Sequence, residues 1–171
     1  MKSQLNTRLN TYLKPRLNRR VEPSSHPSPK LGTPAWMGRP LNDLELARYG
    51  AFFDAGLLAS VRMFDGHAPL WLRPDMIGVT LGYKIYFRPG AYDPERRESI
   101  ELLAHELVHV LQFARGMTIF SYAWASLRGY WRNPYEVEAR TLAAQMMPSI
   151  ERATASATSI PSTPADMIPP A

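Results

Sequence analysis

The chain has 171 residues, 45% hydrophobic and 20% charged, with a formal net charge of +5 and no cysteine. That length allows one domain with a real core, and the missing cysteine excludes a disulfide framework and a thiolate metal site. No apolar run reaches the roughly 20 residues of a membrane span. The opening MKSQLNTRLNTYLKPRLNRR also lacks the apolar stretch of a secretory signal. A cytoplasmic protein, or one exported by a route without a classical signal peptide, is expected.

The charge is uneven. Residues 1–40 hold eight Lys or Arg against one acid, Glu22, whereas residues 41–148 hold eleven bases and twelve acids. Only Tyr12 interleaves aromatic character among the first charges, so a solvated basic tail is favoured over a nucleic-acid contact. Residues 21–40 are rich in Pro, Ser and Gly, and residues 1–40 read as a disordered arm and linker. Residues 151–171 read as a disordered tail. A single domain is expected over residues 41–150.

Within it, residues 41–59 suggest a helix capped by Asn42 or Asp43, interrupted in pattern by Gly50 and Gly56. Residues 79–88 alternate, with Val79, Leu81, Tyr83, Ile85 and Phe87 on one face and Thr80, Gly82, Lys84, Tyr86 and Arg88 on the other. That is the period of a half-buried strand. A long helix follows, with Asp93 as N-cap, Pro94 in the first turn and Gly116 as its stop. A second helix starts at Asn133-Pro134 and is expected to stop at Pro148. The aromatic stretch between them, 118–131, reads mostly as core, with some residues lining a site. The fold class is α+β.

The chemistry lies in the first long helix. His105 and His109 in HELVH are four residues apart, so both project from one face and can bind one zinc ion. Glu106, offset by about 100°, can reach a water on that metal and take its proton. Glu98, Glu101, His105, Glu106, His109 and Gln112 share one stripe on a helix otherwise covered by Leu, Val and Ala. A buried helix with such a stripe needs a partner for its polar groups. Chance occurrence of the motif on a solvated face is roughly 1% for a chain of this length. His26, in the linker, and His67, in a turn, read as structural.

Catalytic zinc takes three protein ligands and keeps one open position. Glu136 lies at the centre of the apolar arc formed by Ala139, Ala143, Ala144, Met146 and Met147. Glu138 lies on the polar face. Glu136 is therefore the expected third ligand and Glu138 the reserve, although Asn133 to Glu136 also has the spacing of a capping box.

HELVH followed by a downstream Glu-x-x-Ala helix resembles the gluzincin group of zinc metallopeptidases. The wider stretch VTLGYKIYFR … ELLAHELVHVLQFARG … NPYEVEAR resembles the proposed metallopeptidase domain of bacterial proteins associated with extracellular contractile injection systems. The resemblance, over about residues 75–148, implies a zincin-like fold, with a small sheet whose edge strand borders the site and can add a peptide by β-augmentation. It implies zinc as cofactor, His105, His109 and Glu136 as ligands, Glu106 as general base, and a peptide or protein substrate. Arg140 departs from the pattern, because many gluzincins carry there an acid or amide that supports a ligand histidine. Tyr122, Tyr130 and Tyr135 are candidates for stabilising an oxyanion. The rival expectation is a zinc-binding module that binds or delivers for a secretion or injection system without cleaving.

Overall fold

The computed structural model describes residues 37–158 except 70, 71, 73–75 and 128. The basic arm up to residue 36, with His26, and the tail beyond 158 lie outside the described residues. The described residues form helices α1 (Asp43–Tyr49) and α2 (Ala55–Ser60), strands β1 (Arg62–Asp65), β2 (Gly78–Leu81) and β3 (Lys84–Phe87), then α3 (Arg97–Ala114), α4 (Ile119–Ser126) and α5 (Pro134–Thr158). A short 3-10 turn, Tyr130–Arg132, precedes α5. The architecture is α+β, as expected.

The helix expected over 41–59 is two. Asn42 caps α1 through a capping box with Glu45, and Gly50 ends it. Asp54 then caps α2 by accepting from the Gly56 and Leu57 N–H groups. A short polar side chain that can satisfy free helix-start donors favours a new start over continuation.

The strand expected over 79–88 is a hairpin. Gly82 sits at φ +63°, in the left-handed region that glycine adopts without strain, and turns the chain between Leu81 and Lys84. Across this two-residue turn Thr80 pairs with Ile85, so an even and an odd position share a face. Gly78, Thr80, Ile85 and Phe87 point inward, and Val79 and Leu81 are only partly covered. The sequence reading put Thr80 on the wrong side because it carried one phase through the turn. β1, which that reading lacked, pairs in parallel with β3, giving the order β1-β3-β2. β2 is therefore an edge strand.

α3 begins at Arg97, later than expected. The Asp93 carboxylate accepts instead from the Glu95 N–H at 3.0 Å, and the Arg96 N–H donates to the Asp93 carbonyl, so Asp93 closes a turn before the helix. Its end follows the expectation. Gly116, at φ +103°, brings its own N–H to Phe113 O, and the Met117 N–H reaches Gln112 O, the paired bonds of a Schellman stop.

α5 runs through Pro148 to Thr158 rather than stopping there. A mid-helix proline costs about 3 kcal/mol. The apolar face continues across it, however, with Met146, Met147 and Ile150 all buried. Packing on both sides of the proline offsets the lost backbone bond. The core joins this face of α5 to Leu103, Leu107, Val108 and Val110 of α3 and to Met63, Ile85 and Phe87 of the sheet. At one corner Glu45, fully buried, takes a bidentate pair from Arg39 at 2.8 and 2.9 Å and a hydrogen bond from Tyr92. These partners satisfy the buried carboxylate and hold it below the usual carboxylate range against the opposing effect of burial.

The expectation that 118–131 is mostly core is not met. No residue of α4 is buried.

Candidate metal centre

α3, α5 and β2 converge on one cleft. His105 and His109 project from one face of α3, with ring centroids 4.7 Å apart and planes at 86°. Their Nε2 atoms are 3.1 Å apart. Glu136, from the first turn of α5, straddles them: Oε1 lies 3.2 Å from His109 Nε2 and Oε2 3.5 Å from His105 Nε2. One atom from each of the three residues lies within 4.8 Å of the others. Glu136 is 1% exposed and His109 7%. The three sequence-selected candidates are thus brought together, and the helix-cap alternative for Glu136 is not what its carboxylate does. The Asn133 N–H goes to Tyr130 O instead.

The orientation of His109 is fixed from behind. Gln112 Nε2 donates to Tyr135 O at 2.9 Å and to Glu138 Oε2 at 2.8 Å. Both amide hydrogens therefore have acceptors, and the amide oxygen must face His109 Nδ1, 2.7 Å away. An oxygen there can only accept, so Nδ1 carries the proton and Nε2 presents its lone pair to the cleft. That lone pair faces Glu136 Oε1. Two electron pairs 3.2 Å apart in a buried place repel unless a proton or a cation lies between them. The donor set, two imidazoles and a carboxylate with an open side, fits a divalent ion.

Without an ion, a proton fills the role. Burial would lower the His109 pKa, but the hydrogen bond to Glu136 and the nearby Glu106 charge outweigh it and raise it. Burial likewise would raise Glu136, but its bonds with His105, His109 and Tyr122 hold its carboxyl well below the usual range.

Glu106 is 4% exposed, and its Oε2 accepts from Thr80 Oγ1 at 2.6 Å. Gly78 lies beside the same carboxylate. A Cβ there would sit 3.0 Å from Glu106 Oε1 and 3.0 Å from two ring carbons of Phe87. Only glycine lets β2 come this close. The sequence reading missed both residues, and the hairpin phase was the signal that would have found Thr80. The sequence puts Gln112 on the polar stripe, and its bonds to His109, Tyr135 and Glu138 emerge only in the fold.

Glu138 lies outside the His105, His109 and Glu136 group. Its carboxylate backs Gln112, with Arg115 3.9 Å away. This relay supplies the support that the residue at 140 does not. Arg140 instead approaches Glu136 at 3.5 Å, donates to Trp131 O at 3.0 Å, and stacks over the Trp131 ring. Of the three tyrosines, Tyr122 donates to Glu136 Oε1 at 2.6 Å and orients that carboxylate. Tyr135 stacks on Tyr122 and is not a cavity residue, while Tyr130 lines the cleft. His67 lies outside the cluster, with Nδ1 2.9 Å from Asp65 O.

The cleft comprises a cavity of about 410 Å³ between β2, α3 and α4 and an adjoining one of about 310 Å³ toward Trp131. They share Met76, Gly78, His105, Glu106 and Tyr130, so His105 and Glu106 stand where the two meet, with His109 lining the larger one. The wider part is lined by Leu72, Val79, Leu81, Phe113 and Met117 among others.

Among the described residues, no helix is long and apolar enough to cross a membrane. No curated protein and no solved structure matches the chain. Residues 40–117 match the family model of the eCIS core domain. The match takes in α1, α2, the sheet and all of α3 with HELVH, and it ends before α4 and the Glu136 helix. Over residues 40–117, from α1 through α3, the chain is thus similar to the eCIS core domain.

Proposed function

We propose that the cleft is the centre of a zinc-dependent peptidase of the gluzincin type, with His105, His109 and Glu136 as ligands and Glu106 as general base. The observation that carries this reading is the facing of His109 Nε2 and Glu136 Oε1 in a buried cleft, with Glu106 held beside them by Thr80. Zinc held by His105, His109 and Glu136 would acidify a water and polarise a scissile carbonyl. Glu106 would accept a proton at its carboxylate and hand it to the departing amine. Thr80 fixes one carboxylate oxygen of Glu106. Gln112 keeps His109 in the ligating tautomer. The free edge of β2 offers backbone donors and acceptors to an extended peptide. The eCIS core match supports work in association with a contractile injection system, on a peptide or protein substrate.

The test is metal analysis of purified full-length protein together with peptide-library hydrolysis. One equivalent of zinc is expected. Glu106→Gln is expected to keep the zinc and to lose hydrolysis by about 10²–10⁴-fold. Folded protein that takes up no divalent ion sinks the proposal. A second reading, a metal-holding module that binds or delivers without cleaving, draws on the open face of α4. Hydrolysis that depends on Glu106 counts against it.

A further inference from the structure

Arg140 takes no part in the hydrolytic chemistry. It lies one turn after Glu136 on α5, where the family resemblance implies an acid or an amide. An exposed i, i+4 ion pair adds little stability. This pair is buried at one end, with the Glu136 side chain 2% exposed and that of Arg140 32%. Arg140 Nη1 lies 3.5 Å from Glu136 Oε2, the oxygen that also faces His105. Nη2 donates to Trp131 O at 3.0 Å. The guanidinium carbon lies 5.0 Å from the centre of the Trp131 ring and 5.8 Å from that of Tyr130. These two rings meet at 82°. One rigid group thus touches a buried carboxylate, a main-chain carbonyl and two aromatic faces. A planar guanidinium can stack and donate in its plane at once, and an ammonium cannot.

The two rings wall the cleft. Tyr130 lines both of its parts, and Trp131 lines the smaller one with Leu102 and His105. Packing does little to hold Trp131. It is 74% exposed, in a three-residue turn that has no side-chain cap and follows the positive-φ Gly129. Glu136 is oriented without Arg140, because Tyr122 donates to its Oε1 at 2.6 Å. A cation beside that carboxylate also competes with a metal ion for its charge. The guanidinium therefore serves the wall and opposes the metal.

We infer, on the reading that Glu136 binds the metal, that Arg140 is a positioning residue clamping the Tyr130–Trp131 wall of the cleft to Glu136. Metal arriving on the carboxylate then shifts the guanidinium, and the wall with it.

The test uses full-length protein labelled with 5-fluorotryptophan, with Trp131→Phe to assign its fluorine signal among the four tryptophans. Wild type, Arg140→Met and Arg140→Lys are each titrated with zinc alone. In wild type the Trp131 signal is expected to move as zinc is taken up and to stop at one equivalent. In both variants it should start nearer its denatured position and ignore zinc, because neither side chain can stack and donate together. Chelator competition separates charge from stacking. Arg140→Met is expected to bind zinc at least about threefold more tightly than wild type, since a like charge has gone, and Arg140→Lys to bind it as wild type does. In peptide hydrolysis both variants should show KM raised at least about 10-fold with kcat within about threefold of wild type. A contact that is merely structural predicts the opposite sign for Arg140→Met, weaker zinc binding. That result, or a Trp131 signal unchanged in the variants, overturns the clamp and leaves the metal centre standing. A wild-type Trp131 signal that ignores bound zinc overturns it whatever the variants do. Wild type that takes up no zinc overturns both the clamp and the metal centre.

Discussion

α3 and α4 flank the same cleft, and both are apolar around most of their circumference. Eleven residues of α3 are buried and none of α4. α3 spans 18 residues and lies between β2 and α5, so its apolar sides meet the sheet and the neighbouring helix. α4 spans eight and sits between two positive-φ glycines, Gly116 and Gly129. Hydrophobicity alone therefore does not decide what is buried here. Each helix also inverts the usual rule in its own way. α3 hides Glu106, His109 and Gln112, and α4 exposes Phe and Trp. Buried polar groups and exposed apolar patches are the informative departures from average protein anatomy.

The same substitution on each helix tests this contrast most sharply. Leu107→Ala, at a site with no exposure, is expected to cost about 2–5 kcal/mol in denaturant unfolding, including the cavity it leaves. Leu127→Ala, 76% exposed, is expected to stay within about 0.5 kcal/mol. Similar losses at both sites would mean that α4 is covered in the folded chain.

Two substitutions probe the supports of the α3 stripe. Gly78→Ala is expected to destabilise by about 1–3 kcal/mol, because its Cβ would meet both Glu106 and Phe87 at 3.0 Å and force them to shift. It should also slow hydrolysis more than it weakens peptide binding. An unchanged melting midpoint and kcat would show that β2 can retreat. Gln112→Leu is expected to weaken metal binding about 10–100-fold by chelator competition, since it frees the His109 ring to take the wrong tautomer. Unchanged affinity would remove the relay from the site.

The smallest expected effect is in pH dependence. Glu136 is held low in the fold, so its stabilising contribution is present above the ordinary carboxylate value and lost as pH falls through the depressed one. His109 is raised, so its contribution is complete below the ordinary histidine value and lost as pH rises through the raised one. Metal-free protein should therefore be most stable between roughly pH 4.5 and 6.5. Saturating metal should move that optimum upward, because an imidazole binds a metal only in its neutral form. Thermal melts of chelator-treated and metal-loaded protein would show it, and a metal-free optimum above about pH 8 would contradict the proton-bridged arrangement.

The sequence made parts of this arrangement readable for definite reasons. Helical spacing put His105 and His109 on one face of α3. The angular position of Glu136 among Ala139, Ala143 and Met146 separated it from Glu138, and the structure places it against the imidazoles. Gly116 was readable because a glycine after an apolar run is a recurring helix stop. Other features depended on what lies across from a residue in space. Thr80 faces Glu106 only because the turn changes the phase of the alternation. The helix passes Pro148 only because Ile150 finds a core beyond it. The aromatics of α4 read as core because nothing along the chain shows that Phe120 and Trp124 stand exposed among the described residues.

The turn at Gly82 and Tyr83 also behaves as a reading frame for the cleft. Its two-residue length sets which side chain of β2 is presented to Glu106. Adding or deleting one residue there would rotate the strand by one position and bring the methyl groups of Val79 or Leu81 where the Thr80 hydroxyl now donates. Glu106 would lose its tether without any change in the HELVH helix. An insertion before Gly78 would leave that phase intact. A variant chain could keep HELVH and Glu136 and still lose the tether through one added residue in a surface turn.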